Sequence, residues 1–192
     1  MDDSAAHLAP LAWARIAQRT AELGFDMASD TATGALLKAL AANKPAGRLL
    51  EIGTGTGLAT SWLLAGMDGR ATLVSVDNDP RCQQIARDEL DGDGRLSFVL
   101  QDGPAFLRRQ KRAAFDLVFA DAWPGKYDGL DAALALLKPG GIYVADDMLP
   151  QPNWPDGHQA RVEAWLADMQ ARTGYATVRL DWASGIFIAV RR

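Results

Sequence analysis

The sequence predicts one α/β domain built on a doubly wound, seven-stranded, mostly parallel sheet that closes with a C-terminal antiparallel hairpin. Three observations carry that prediction. From residue 48 onward, short apolar runs alternate with helix-patterned segments, an order that demands parallel strands joined by right-handed crossovers. The first five runs are nearly continuous in apolar residues, as strands covered on both faces must be. Only Asp181, Trp182, Ala183 and Ser184 separate the last two runs, too few for a crossover helix, so these pair as a hairpin.

The strand candidates are 48–52, 72–77, 96–100, 115–120 and 141–145, followed by 175–180 and 185–190. Helical patterns lie between them at 60–66, 80–90, 104–111 and 130–137. A further helix, 158–172, places Val162, Trp165, Leu166 and Met169 at helical spacing, an apolar stripe for the core. Residues 1–47 are rich in Ala and Leu, with helical patterns at 8–23 and 34–42; they form an N-terminal helical cap over the sheet and beside its ligand. Residues 48–192 form the core, and the 192 residues make one domain without repeats or linkers.

A net charge of -4 argues against a protein built to neutralise a nucleic-acid backbone. The one dense basic cluster, Arg108, Arg109, Lys111 and Arg112, sits at a helix end, where a solvated terminus explains it. The single cysteine, Cys82, cannot form an internal disulfide and points to a reducing compartment. The start, with Asp2 and Asp3, lacks a signal-peptide pattern, and no stretch approaches the roughly 20 apolar residues of a membrane span. A cytoplasmic location and no membrane partner are the expectation.

The chemistry is concentrated at Leu49-Leu50-Glu51-Ile52-Gly53-Thr54-Gly55-Thr56-Gly57. Here a buried strand turns into a helix through glycines that let a ligand approach the backbone near free N–H groups. Asp77 ends the second strand, where its carboxylate can accept from both hydroxyls of a ribose. A dinucleotide fingerprint needs a glycine at position 58, which is Leu58. A P-loop is excluded because no Gly-Lys-Ser/Thr follows. In a doubly wound sheet the ligand lies across the carboxyl ends of the strands. This brings in Asp102, with Gly103, ending the third strand on the adenine side, and Asp121, ending the fourth beside the reacting centre. Each aspartate could instead cap the helix that follows it.

The pattern E-x-G-x-G-x-G resembles motif I of class I S-adenosylmethionine-dependent methyltransferases, a Rossmann-like family. Over about residues 25–191 the chain is most similar to the catechol O-methyltransferase-like branch. Met27-Ala28-Ser29-Asp30 resembles the segment that lays a Met and backbone groups along the cofactor, and Asp77-Asn78-Asp79-Pro80 the acidic ribose contact. Asp102-Gly103 matches the adenine-side pair. The resemblance implies S-adenosylmethionine as cofactor, with Met27, Ser29, Glu51, Gly53, Thr54, Gly55, Gly57, Asp77, Asn78, Asp102, Gly103 and Asp121 as its contacts. It also implies three oxygen ligands for a divalent cation, usually magnesium, at Asp121, Asp146 and Asp147. Such an ion would lower the pKa of an acceptor hydroxyl and orient it.

The chain departs from the family pattern at three places. Asp147 stands where an Asn is usual, Ala59 where a serine is frequent, with Thr56 or Thr60 nearby to compensate, and Pro124 where the catalytic lysine belongs. The nearest lysine is Lys126, a candidate base if its surroundings favour the neutral amine, or else an exposed loop lysine. His158 follows the fifth strand and is a second candidate base, or a structural residue at a helix start. Trp123, Tyr127 and Trp154 can stack on a flat substrate or pack under the loops. Prolines 150, 152 and 155 stiffen the segment 149–157, expected to wall the acceptor pocket.

These features together predict a methyltransferase acting on a small hydroxylated, catechol-like acceptor through oxygen. Two alternatives share the cofactor site: methylation of a tRNA base or protein side chain, and a non-catalytic module binding S-adenosylmethionine or S-adenosylhomocysteine. Family members often form homodimers, although no segment here demands one.

Overall fold

A computed structural model describes residues 5–192; Asp2 and Asp3 lie outside the described residues. Seven strands run β1 (Arg48–Ile52), β2 (Thr72–Asp77), β3 (Leu96–Leu100), β4 (Phe115–Ala120), β5 (Leu137–Ala145), β6 (Tyr175–Leu180) and β7 (Ile186–Arg191). They form one sheet in the order β3-β2-β1-β4-β5-β7-β6. β1 to β5 pair in parallel, whereas β7 is antiparallel to both β5 and β6.

Seven helices follow in chain order: α1 (Trp13–Leu23), α2 (Thr31–Ala42), α3 (Leu58–Gly66), α4 (Pro80–Leu90), α5 (Gly103–Arg109), α6 (Leu130–Ala135) and α7 (His158–Ala171). Successive strand residues face opposite sides of the sheet, which divides the core. Leu49, Leu73, Leu117, Phe119 and Val144 pack against Ile16 of α1, Leu37 of α2, Leu63 of α3 and Ile85 of α4. On the other face Leu50, Val76, Val118 and Tyr143 meet Phe106 of α5, Leu134 of α6 and the Val162, Trp165, Leu166 and Met169 stripe of α7.

The helix ends follow local chemistry. Asp30 accepts from the amide of Thr33 at 2.7 Å and starts α2 three residues earlier than the apolar pattern suggests. Pro10, which cannot sit inside a helix, separates a 3₁₀ turn at Ala6–Leu8 from α1. Two expectations need correction. β3 is an edge strand whose residues are only partly covered: Leu96 and Phe98 pack on one core layer and Val99 on the other, while Ser97 and Leu100 are exposed. β5 begins at Leu137 rather than at 141, because a register shift between Phe115 and Leu117 lets Leu137 pair with Phe115 across the Pro139-Gly140 bend.

The basic run at 108–112 is solvent-exposed apart from the half-buried Gln110, at the end of α5. Among the described residues no helix is long and apolar enough to cross a membrane.

Candidate active site

The strand order reverses between β1 and β4, so the loops after these strands diverge and open a crevice at their carboxyl ends. A cavity of about 640 Å³ occupies that position. Its floor is the glycine-rich turn. Gly53 has φ 100° and lies so close to the end of β4 that a Cβ would meet the Asp121 carbonyl oxygen at 3.0 Å. Gly57 has φ 94°, and a Cβ there would come within 2.7 Å of Ala86 Cβ on α4. Left-handed backbone and close approach together require glycine at both positions.

Asp77 is held from behind. Its Oδ2 accepts from the Gly55 amide and its Oδ1 from the Asp79 amide, both at 2.8 Å. A carboxylate has about four lone-pair sites, so acceptor capacity remains for a diol in the cavity that Asp77 and Asn78 line. Beneath the turn runs a buried relay. Gln83 Nε2 donates to Thr54 Oγ1 at 3.2 Å, the Thr54 and Ser75 hydroxyls are 2.6 Å apart, and Ser75 and Thr60 each donate to Glu51 Oε2 at 2.5 Å. Burial pushes the Glu51 carboxyl up to about 8 against those two hydroxyl bonds, which act in the opposite direction. Glu51 therefore braces the turn and does not reach the cavity.

The cap closes one side. The Thr20 hydroxyl of α1 lies 2.7 Å from that of Thr56, and Ser29 Oγ donates to Asp121 Oδ2 at 2.6 Å. Met27, Ser29, Thr54, Thr56 and Ala59 line the cavity, with Phe25 at the turn and Met27 64% exposed at the mouth. A ligand seated there would cover that methionine.

The opposite side is aromatic. His158, 6% exposed, lies within ring-contact distance of Trp123 (5.6 Å), Tyr127 (5.2 Å) and Trp154 (4.6 Å). Its Nε2 is 3.4 Å from the Tyr127 hydroxyl, and its buried Nδ1 has no hydrogen-bond partner. Burial, with the charges of Arg161 and Lys126, lowers the imidazole pKa against the opposing pull of Asp147. Gln151, Asn153, Trp154 and Pro155 put the proline-stiffened segment in the cavity wall, as expected.

Several sequence-predicted contacts lie elsewhere. Asp102 caps α5 by accepting from the Ala105 amide at 2.9 Å, and Gly103 is packed under Pro124. Neither lines the cavity, nor do Glu51 and Gly57, whose roles are bracing and helix packing. Asp121 and Asp147 face the cavity, but Asp146 does not. Asp146 Oδ1 accepts from the Ser184 hydroxyl and, at 2.8 Å, from the Asp147 amide. Among the described residues no group of three or more His, Cys, Asp or Glu side chains is arranged to hold a metal ion. The expected Asp121, Asp146 and Asp147 ligand set therefore does not fit a divalent cation.

Burial raises the carboxyl pKa of both Asp121 and Asp146, and their neighbouring acids raise it further. Asp147 is raised for the same first reason, with Lys126 pulling it back. Its backbone is left-handed (φ 58°), a conformation that Asp and Asn tolerate better than other side chains. Lys126 is not an exposed loop lysine: it is 4% exposed and its Nζ donates to the Asp146 carbonyl at 3.0 Å. Sequence reading missed Phe25, Asp79 and Cys82 in the wall; the proximity of Asp79 and Cys82 to Asp77 was the available signal.

Comparison with known proteins agrees with this geometry. A family model described as a methyltransferase domain matches residues 50–148. A "Putative O-methyltransferase" of Mycolicibacterium vanbaalenii is 34% identical over 132 residues, covering 66% of this chain and 58% of that relative. The chain thus aligns with little more than half the length of that relative. The O-methyltransferase TomG of Streptomyces achromogenes, solved in complex with SAM, is 26% identical with a TM-score of 0.77, covering 94% of this chain and 89% of TomG. Cofactor-bound Rv0187 from MTB is 25% identical with a TM-score of 0.83, covering 94% of this chain and 89% of that one. The matched segment contains the glycine-rich turn, Asp77, Asp121 and the end of β5, and the chain belongs to the methyltransferase domain family.

Proposed function

We propose that the chain is an S-adenosylmethionine-dependent O-methyltransferase acting on a small, flat, hydroxylated acceptor. One observation carries this reading. A single cavity joins a nucleoside-binding wall, formed by the Gly53–Gly55 backbone and Asp77, to an aromatic wall of Trp123, Tyr127, Trp154 and His158. The first suits a ribose and its adenosyl group; the second suits a planar ring. The O-methyltransferase relatives and the SAM complex of TomG support the same assignment.

The cofactor supplies a methyl group on a sulfonium, and the protein's task is to align the acceptor oxygen with it. Asp77 would hold the ribose, Met27 and Ser29 would flank the cofactor, and Asp121 would serve its positive charge, all four residues lining the one cavity. His158, a cavity-lining imidazole whose pKa is lowered by burial, receives the acceptor's proton. Bound S-adenosylmethionine would supply the methyl group and would keep the carbon–sulfur electron pair as a neutral thioether when the acceptor oxygen takes that methyl. The small cavity and acidic net charge of -4 favour a small molecule over tRNA.

The test is transfer of a labelled methyl group from S-adenosylmethionine to a panel of catechols and monophenols. The expected products are mono-O-methyl ethers. Tight binding of S-adenosylhomocysteine with no transfer to any phenol would overturn the acceptor assignment and leave a binding module.

A further inference from the structure

We propose that the Lys126 ammonium is the resident cation of the acceptor site, standing where a divalent metal ion would otherwise pair with the acceptor oxygen. This inference rests on the O-methyltransferase reading above. It starts from the mismatch at the expected metal position: Asp146 is turned into the protein, while Lys126 lines the cavity beside Asp121 and Asp147.

Lys126 is placed by the fold and not by chance of a flexible side chain. Its loop leaves β4 through a tight turn in which the amides of Lys126 and Tyr127 donate to the Trp123 carbonyl at 3.1 and 2.9 Å. Gly125, at φ 82°, packs so near Ile52 that a Cβ would approach its Cδ1 to 2.6 Å. Two distant side chains lock the same loop: Tyr143 Oη donates to the Gly125 carbonyl at 2.7 Å, and Trp165 Nε1 donates to the Lys126 carbonyl at 3.1 Å. The ammonium itself donates to the Asp146 carbonyl at 3.0 Å. An ammonium carries three donors; one is taken by that carbonyl, and the side chain lines the cavity.

The surrounding charges agree with a resident cation. The positive charge of Lys126 stabilises the ionised forms of Asp121, Asp146 and Asp147 against burial and mutual repulsion. A divalent ion entering beside it would meet a like charge, and of its three expected ligands only Asp121 and Asp147 line the cavity, the first already bonded to Ser29. A fixed ammonium in a water-poor pocket is a preorganised partner for a developing phenolate. In the reaction the hydroxyl proton leaves to His158, the oxygen pair attacks the methyl carbon, and Lys126 holds the negative charge without exchanging a proton.

The experiment uses 4-nitrophenol and 4-nitrocatechol as optical probes, bound to the full chain with S-adenosylhomocysteine, since their phenolates absorb at longer wavelength than the phenols. Wild type is expected to bind the probes as phenolates, with the spectrum unchanged by EDTA or by added magnesium. Lys126→Met should lower the ratio of bound phenolate to phenol roughly tenfold, one pKa unit, whereas Lys126→Arg should retain most of it. Retention by arginine separates a fixed cation from a proton-accepting amine, because guanidinium does not deprotonate. Calorimetric titration with S-adenosylhomocysteine checks that each variant still folds and binds. Loss of the wild-type phenolate spectrum in EDTA, its restoration by magnesium, or absence of any bound phenolate in wild type would overturn the proposal. So would an unchanged spectrum in Lys126→Met. Failure of S-adenosylhomocysteine to bind wild type would instead reject the methyltransferase reading itself.

Discussion

Ser29 Oγ donates to Asp121 Oδ2 at 2.6 Å, joining the loop before α2 to the end of β4 across the cavity floor. The bond ties the helical cap to the catalytic edge of the sheet. It also fixes the carboxylate whose pKa is raised well above its ordinary range by burial and by the charge of Asp146.

A sulfonium seated over Asp121 favours the ionised carboxylate, whereas the product thioether carries no such charge. Asp121→Asn should therefore weaken binding of S-adenosylmethionine by about tenfold, or about 1.4 kcal/mol, and that of S-adenosylhomocysteine by far less. Parallel calorimetric titrations of both ligands check this. Equal losses for the two would remove the electrostatic role of Asp121.

Glu51 gives a prediction on stability. Its folded pKa, about 8, lies above the ordinary 4.5. Between those values the native state keeps a proton that the unfolded chain has released, so stability falls as pH rises through this window. Glu51→Gln keeps the side chain's shape and removes the titration. The wild-type Tm should decline from acid to mildly alkaline pH more steeply than that of Glu51→Gln, measured by thermal melts across the window. Identical slopes would show that Glu51 is ionised in the fold.

His158 sets the acid limb of the reaction. A base works only when unprotonated, and burial lowers this imidazole below its ordinary value of 6.5. The kcat/KM for a phenol should hold steady down to pH 6.5 and fall below it. His158→Gln should lower kcat about a hundredfold with little change in S-adenosylhomocysteine affinity. A retained acid limb in His158→Gln would move the base to another residue.

Much of the fold is legible in the sequence because strand runs and crossover helices obey short-range patterns. The bounds of β1, β2, β3 and β4 follow directly from apolar runs, ended by glycine or aspartate in all but β3, which Gln101 follows. What those runs do not encode is lateral order: Leu96–Leu100 reads as a doubly covered strand and lies at the sheet edge. The glycine-rich wall of the cavity is equally legible, since Gly53, Gly55 and Asp77 stand at strand ends. The acceptor wall is not. Lys126 is buried on a loop whose carbonyls are bonded by Tyr143 and Trp165, and Asp146 is bonded by Ser184 of the hairpin. Those partners are 17, 39 and 38 residues distant in sequence, respectively (17 counted from Lys126 to Tyr143). Asp102 illustrates the opposite case: position at a strand end allows either a ligand contact or a helix cap, and the Ala105 amide takes it.

On the proposed reading Asp77, braced by the Gly55 and Asp79 amides, holds the ribose of an adenosyl cofactor. Calorimetric titration of S-adenosylhomocysteine into wild type and Asp77→Ala tests it most directly. Wild type should bind one equivalent, and Asp77→Ala should bind at least about tenfold more weakly while melting cooperatively. Equal affinity in the two proteins, or no heat of binding in wild type, would contradict the account.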